Sequence, residues 1–323
     1  MQSDEVRKLS SVDIRLILHD LPRVLSSVID VLGVGCYAAN GSGVDSFWSN
    51  LLCANTTAAR TWKKDRAIYT ASEPAPFADP GWERSRRRWD PTVVLSMAAV
   101  ADLQKQLGRM TLAENPSGRT GLLLGSARGP ITTLTGAAER VFQGKRPLPT
   151  QVAYSSASSL AGVVGTALGI TEMGLVLSTA CASAGMATAV GANLLQAGFQ
   201  CLLVGGVDTA TTGFVLELFD AASILARSPL SPSAKLRPFS ATRAGTAPGE
   251  AAGLLALARR DAAPSRNVLA SLVGWGSCLA PGERQCPDAA GSGLVHAMNG
   301  ALDRAGVLPR DISAIVLHAN GTT

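Results

Sequence analysis

The run Gly174-Leu175-Val176-Leu177-Ser178-Thr179-Ala180-Cys181-Ala182-Ser183-Ala184-Gly185 changes character halfway along. Gly174 to Thr179 is short and apolar, the pattern of a fully buried strand, whereas Ala182 to Gln196 is a small-residue stretch of helical length. Cys201 to Gly205 is apolar again, so the whole predicts a β-α-β unit and an α/β fold. Met173 to Val207 carries no charge, which raises the question of a membrane span. Ser178, Thr179, Asn193, Gln196, Gln200 and several glycines divide it into three pieces, and strand, helix, strand is the better reading. Cys181 stands at the first junction, where unpaired N–H groups and the helix dipole stabilise a thiolate. Position alone leaves a second reading open, a small buried hydrophobe.

Upstream, residues 1–27 have a partly helical pattern broken by Pro22 and read as an extension placed before the domain. The β-rich Val28-Ile29-Asp30-Val31 opens the folded unit. Helices are predicted at Val44 to Leu52, Thr92 to Leu107 and Leu134 to Phe142, with a strand at Thr120 to Gly125. Downstream, prolines make Ser228 to Ser240 irregular, Glu250 to Leu257 reads as a strand, and Asp261 to Asn267 looks like a joint. A strand at Val268 to Trp275, a helix at Gly293 to Ala305 and a strand at Ile312 to Leu317 follow. The expected division is an extension at 1–27, a first half at 28–262 and a partial second half at 263–323, as in a duplicated α/β domain.

The 323 residues are 46% hydrophobic and 5% aromatic, enough for a continuous core of closely packed strands and helices. A net charge of +5 is mild and dispersed, apart from Glu83 to Trp89, which reads as a solvated segment. Nucleic acid is not indicated. Six cysteines lie far apart without metal-ligand spacing, and the N-terminus lacks a secretory pattern, so a reduced cytoplasmic setting and no metal are expected. Gly33-Val34-Gly35-Cys36-Tyr37-Ala38 fits the GxGxxA dinucleotide fingerprint, but loop residues follow where a helix is required; it reads as a strand-to-loop turn.

Ser178 to Gly185 is similar to the nucleophile motif of β-ketoacyl synthases of the elongating, carrier-protein-dependent type. Other segments resemble that family in order: Leu32 to Trp48, Leu203-Val204-Gly205-Gly206-Val207-Asp208, Arg237-Pro238-Phe239-Ser240, and Gly249-Glu250-Ala251-Ala252-Gly253. His318-Ala319-Asn320-Gly321-Thr322 resembles the motif of the first catalytic histidine, with Ala319 and Asn320 where Gly and Thr are usual. The resemblance runs from about Val28 to the last residue.

The resemblance implies a thiolase-like fold of duplicated halves, with the second half truncated. It implies a decarboxylating Claisen condensation in fatty acid, polyketide or polyene synthesis, with Cys181 as nucleophile, His318 as catalytic histidine and Thr322 as a contact for the pantetheine arm. No bound cofactor is implied; substrates ride on the phosphopantetheine of an acyl carrier protein, and the chain would form a homodimer or pair with a related subunit. Glu250 is taken as structural, and His296 as a surface or packing residue. The family's lysine, second histidine and Gly-Phe-Gly-Gly-like segment do not occur in these 323 residues, so at most self-acylation is expected of them. The rival readings are a non-condensing partner subunit and a truncated synthase acting by carrier-protein binding.

Overall fold

The computed structural model describes residues 28–53, 59–62, 66–107, 119–226, 237–262, 267–279 and 290–322. Its centre is a six-stranded sheet of β1 (Ile29–Ala38), β4 (Thr120–Gly125), β5 (Met173–Leu177), β6 (Cys201–Thr209), β7 (Glu250–Arg259) and β8 (Ala270–Leu272), in the order β5-β4-β6-β7-β1-β8. β4 runs parallel to both β5 and β6, while β7 is antiparallel to β6 and to β1. A separate hairpin joins β2 (Ala59–Trp62) to β3 (Arg66–Tyr69). The helices are α1 (Val44–Leu52), α2 (Pro80–Arg86), α3 (Pro91–Leu107), α4 (Ile131–Phe142), α5 (Pro149–Tyr154), α6 (Ser158–Ala167), α7 (Ser183–Gln196), α8 (Gly213–Ala221) and α9 (Ser292–Ala305).

Strand alternation sends successive side chains to opposite faces, and two cores result. On one face Leu122, Leu124 and Leu203 meet Val93, Met97, Val100 and Leu103 of α3 and Leu160 and Val164 of α6. On the other, Leu123, Leu202 and Val204 meet Ala187, Ala192 and Leu195 of α7. Small residues on α7 let it lie close to the sheet, and it crosses from β5 to β6 over β4, the expected β-α-β unit.

Fully buried Asp90 anchors α3. Its Oδ1 accepts from the Thr92 N–H at 2.9 Å and hydroxyl at 2.7 Å, and its Oδ2 accepts from the Thr133 N–H at 2.8 Å, which ties in the start of α4.

Several expectations are corrected. Gly174 to Thr179 is not a fully buried strand: β5 is one of the two edge strands of the sheet, ends at Leu177, and leaves Leu175 exposed, because it has a neighbour on one side only among the described residues. Ile312 to Leu317 forms no strand; a ladder needs a partner, none is present among the described residues, and Ile312, Ile315, Val316 and Leu317 are exposed. The strand at Val268 to Trp275 shortens to β8, which pairs with the first strand of the sheet, so the proposed second half begins on the first half's sheet. Gly33 and Gly35 lie inside β1, not in a turn; a Cβ on Gly35 would stand 2.1 Å from the Ala99 carbonyl oxygen, so the second glycine serves the packing of α3 against the strand. The Glu83 to Trp89 segment is not merely solvated. Arg86 donates to Glu73 and to the Pro74 and Ala75 carbonyls and lies 5.5 Å from the centre of the Phe77 ring.

The extension at 1–27, most of Ser228 to Ser240 and part of the joint lie outside the described residues.

Candidate active site at the carboxyl end of the parallel strands

β4, β5 and β6 end on one side of the sheet, where β7 begins and β1 finishes. Cys181 lies in the turn that leaves β5 and enters α7, and it is exposed. Cys53 and Cys278 are exposed as well, so exposure does not single it out; the start of a 14-residue helix does. Cys53 sits at a helix end, and Cys278 donates to the neighbouring Leu279 carbonyl. Cys36 is half-buried in β1, and burial, with Asp102 next in weight, pushes its thiol up to about 11.

The turn is wound tightly. Ala180 has φ +51°, a left-handed conformation that costs an alanine about 1–2 kcal/mol. The Ala182 N–H donates to the Thr179 carbonyl at 3.1 Å and the Ser183 N–H to the Ala180 carbonyl at 3.2 Å. Ser183, 3% exposed, accepts from the Thr179 N–H through its hydroxyl and donates to the Ala180 carbonyl. Beneath it, Gly125 lets β4 approach the first turn of α7: a Cβ there would lie 2.2 Å from the Ser183 carbonyl carbon.

The neighbouring loop, after β4, is held by Asp208 at the end of β6. Its carboxylate accepts from the Ser126 hydroxyl at 3.0 Å, the Ala127 N–H at 2.9 Å and the Arg128 N–H at 3.3 Å. Ser178 donates to the Ala127 carbonyl at 3.3 Å, which joins that loop to the nucleophile turn. Sequence reading missed Ser183 and Asp208 as parts of this site. Asp208 carried a signal, since a lone carboxylate after an apolar strand and two glycines needs donors.

His318 is exposed, just ahead of a docked segment. The Gly245 N–H donates to the Gly321 carbonyl at 3.0 Å and Arg243 Nε to the Thr322 carbonyl at 2.9 Å, so residues 321 and 322 are pinned to the loop that enters β7. Asn320 Oδ1 accepts from the Thr322 N–H at 3.1 Å and from its hydroxyl at 2.8 Å. The segment after His318 is thus tied to the loop that enters β7, and no hydrogen bond joins Cys181 to His318. Glu250 accepts from the Ala71 N–H and the Thr211 hydroxyl, a structural tie. His296 lies in α9, on an exposed part of that helix.

Among the described residues no helix is long and apolar enough to cross a membrane, and no cluster of three metal-ligating side chains occurs.

Residues 26–263 match the family model described as Beta-ketoacyl synthase, N-terminal domain. The chain is 25% identical over 302 residues to 3-oxoacyl-[acyl-carrier-protein] synthase 2 of Staphylococcus aureus, covering 90% of this chain and 74% of that protein. It is 24% identical over 304 residues to the chloroplastic 3-oxoacyl-[acyl-carrier-protein] synthase I of Arabidopsis thaliana, covering 90% of this chain and 64% of the relative. Among solved structures, a β-ketoacyl synthase from Burkholderia phymatum superposes with a TM-score of 0.80 at 22% identity, over 92% of this chain and 75% of the other. A ketosynthase in complex with its chain length factor from Xenorhabdus doucetiae gives 0.76 at 24% identity, over 92% and 72%.

Proposed function

Because the chain belongs to the β-ketoacyl synthase family, we propose that it acts as an acyltransferase of the 3-oxoacyl-[acyl-carrier-protein] synthase type, with Cys181 as the nucleophile. The observation that carries the assignment is the exposed Cys181 sulfur at the junction of β5 and α7. The Cys181 backbone N–H at this junction serves a developing oxyanion.

The Cys181 thiolate attacks the carbonyl carbon of an acyl group carried on phosphopantetheine. The tetrahedral oxyanion is met by the Cys181 backbone N–H, and the carrier thiol leaves as the acyl-enzyme forms. In the complete synthase reaction, of which the 323 residues are expected to perform the acylation alone, a malonyl thioester then loses CO₂. The resulting enolate, stabilised by hydrogen bonding from His318, attacks the Cys181 thioester; a carbon–carbon bond forms and the thiol is released. Thr322 receives the pantetheine arm, and no separate cofactor takes part.

The partners follow from the same reading. The acyl carrier protein delivers both substrates, and the exposed outer edge of β5 supports pairing with a second ketosynthase subunit, identical or related. Solved ketosynthases of similar fold include one in complex with its chain length factor and one in complex with an acyl carrier protein. We place the protein in the cytoplasm.

Incubation with an acyl carrier thioester, followed by peptide mass spectrometry, tests the nucleophile. Acyl groups should be found on Cys181 and should disappear in Cys181→Ala. Equal labelling of Cys53 or Cys278, or labelling unchanged in the variant, would remove the assignment.

A further inference from the structure

We infer that the Ser183 hydroxyl is a positioning residue for the thiol, holding the left-handed residue before Cys181 so that the sulfur points out of the helix start. The inference rests on Cys181 being the nucleophile. Ser183 belongs to α7, yet its side chain turns back on the loop that precedes the helix. Its Oγ accepts from the Thr179 N–H at 2.9 Å and donates to the Ala180 carbonyl at 2.6 Å. One hydroxyl therefore grips the two residues immediately before Cys181.

Ala180 sits at φ +51°, where a side chain is unfavourable, and nothing in its own chemistry holds it there. Ser183 is 3% exposed while Thr179 and Ala180 are exposed, so a buried hydroxyl anchors a turn that lies at the surface. The helix start lies against Gly125, so the turn has backbone beneath it and Ser183 across it. Without the hydroxyl, the Ala180 carbonyl keeps only the longer bond from the Ser183 N–H at 3.2 Å and the Thr179 N–H loses its acceptor, so φ is held less firmly and the neighbouring Cys181 moves with it.

Carrier-dependent acylation of Cys181 should be followed at increasing carrier concentration in the full chain. Ser183→Ala is expected to lower the limiting rate by about 10- to 100-fold, in line with misplacement of a reacting atom by a fraction of 1 Å to 1 Å, while the half-saturating carrier concentration stays the same. Ser183→Thr, which keeps the hydroxyl, should restore the rate. Ala180→Gly supplies the second arm, because glycine adopts positive φ freely: in that background Ser183→Ala should change the rate by less than about threefold. This comparison also serves if Ser183→Ala alone does not fold. The inference is overturned if Ser183→Ala acylates like the unaltered chain, or if it costs as much beside Gly at position 180 as beside Ala. Failure of the unaltered chain to acylate Cys181 would instead reject the nucleophile assignment.

Discussion

Gly125→Ala should loosen the nucleophile helix without touching the nucleophile. Gly125 is the last residue of β4 and pairs in register with Leu177 on one side and Gly206 on the other. An added Cβ would lie 2.2 Å from the Ser183 carbonyl carbon, 2.3 Å from its oxygen and 2.5 Å from the Ala184 nitrogen. Carbon atoms rest at roughly 3.5 Å, so the first turn of α7 must retreat by about 1.3 Å. All three obstructing atoms are backbone, and no side-chain rotation relieves them. Overpacking of this kind costs about 3 kcal/mol, at the upper end of the usual range. For a chain of this size that lowers the melting temperature by roughly 4 °C. A shift near 1 Å at a reacting atom also slows its chemistry by about 100-fold. Gly253→Ala is the control, since a Cβ there meets nothing within 4 Å. Thermal melting and Cys181 acylation measured side by side would check both numbers. A Gly125→Ala protein that melts with the control and acylates at its rate would refute the reasoning, because the helix would then not be seated where β4 meets it.

Two further outcomes follow from other parts of the fold. Folded, the Cys36 thiol is raised from 9.0 to about 11, chiefly by burial, so the neutral form is favoured; stability is full below pH 9 and is lost as pH rises from 9 through 11. Denaturation curves across that window should flatten in Cys36→Ala, and an unaltered slope would count against the assignment. Arg66 of β3 meets Asp220 of α8 at 2.7 Å with both side chains largely buried, so Asp220→Ala, which removes this carboxylate from beside the guanidinium, should cost about 3 kcal/mol by urea denaturation. A loss below about 0.5 kcal/mol would mean that the pair is exposed in solution.

The β-α-β unit around Cys181 was legible because each piece announces itself locally: a short apolar strand, a long small-residue helix, a second apolar strand. The helices at 44–52, 91–107 and 292–305 were legible for the same reason. Burial of β5 was not, because Met173 to Leu177 has the composition of a central strand and its place at the edge is fixed by how β4, β6 and β7 pair far away in sequence. Ile312 to Leu317 shows the complementary failure. Its residues favour a strand, but a strand is a relation between two segments, and propensity in one of them does not supply the other.

At the site, the chemistry was legible and its support was not. Cys181 was chosen from its junction only together with the resemblance of Ser178 to Gly185, whereas Gly125, Asp208 and Ser183 come from three separate elements, and only folding brings their roles together. The segment 318–322 carries the same lesson in a departure from pattern. With Ala319 and Asn320 in place of Gly and Thr, the stretch reads as a weakened motif. In the structure Asn320 accepts from both the backbone N–H and the hydroxyl of Thr322, the way an asparagine side chain completes a tight turn. The turn is held from within by Asn320 and from outside by Arg243 and the Gly245 N–H. The Thr322 hydroxyl is therefore already committed as a donor to Asn320, and a pantetheine arm reaching it would be met by its acceptor lone pairs or would have to displace that bond. The altered residue thus keeps the turn after His318 while changing what Thr322 offers a substrate, a distinction that the letters of the motif do not carry.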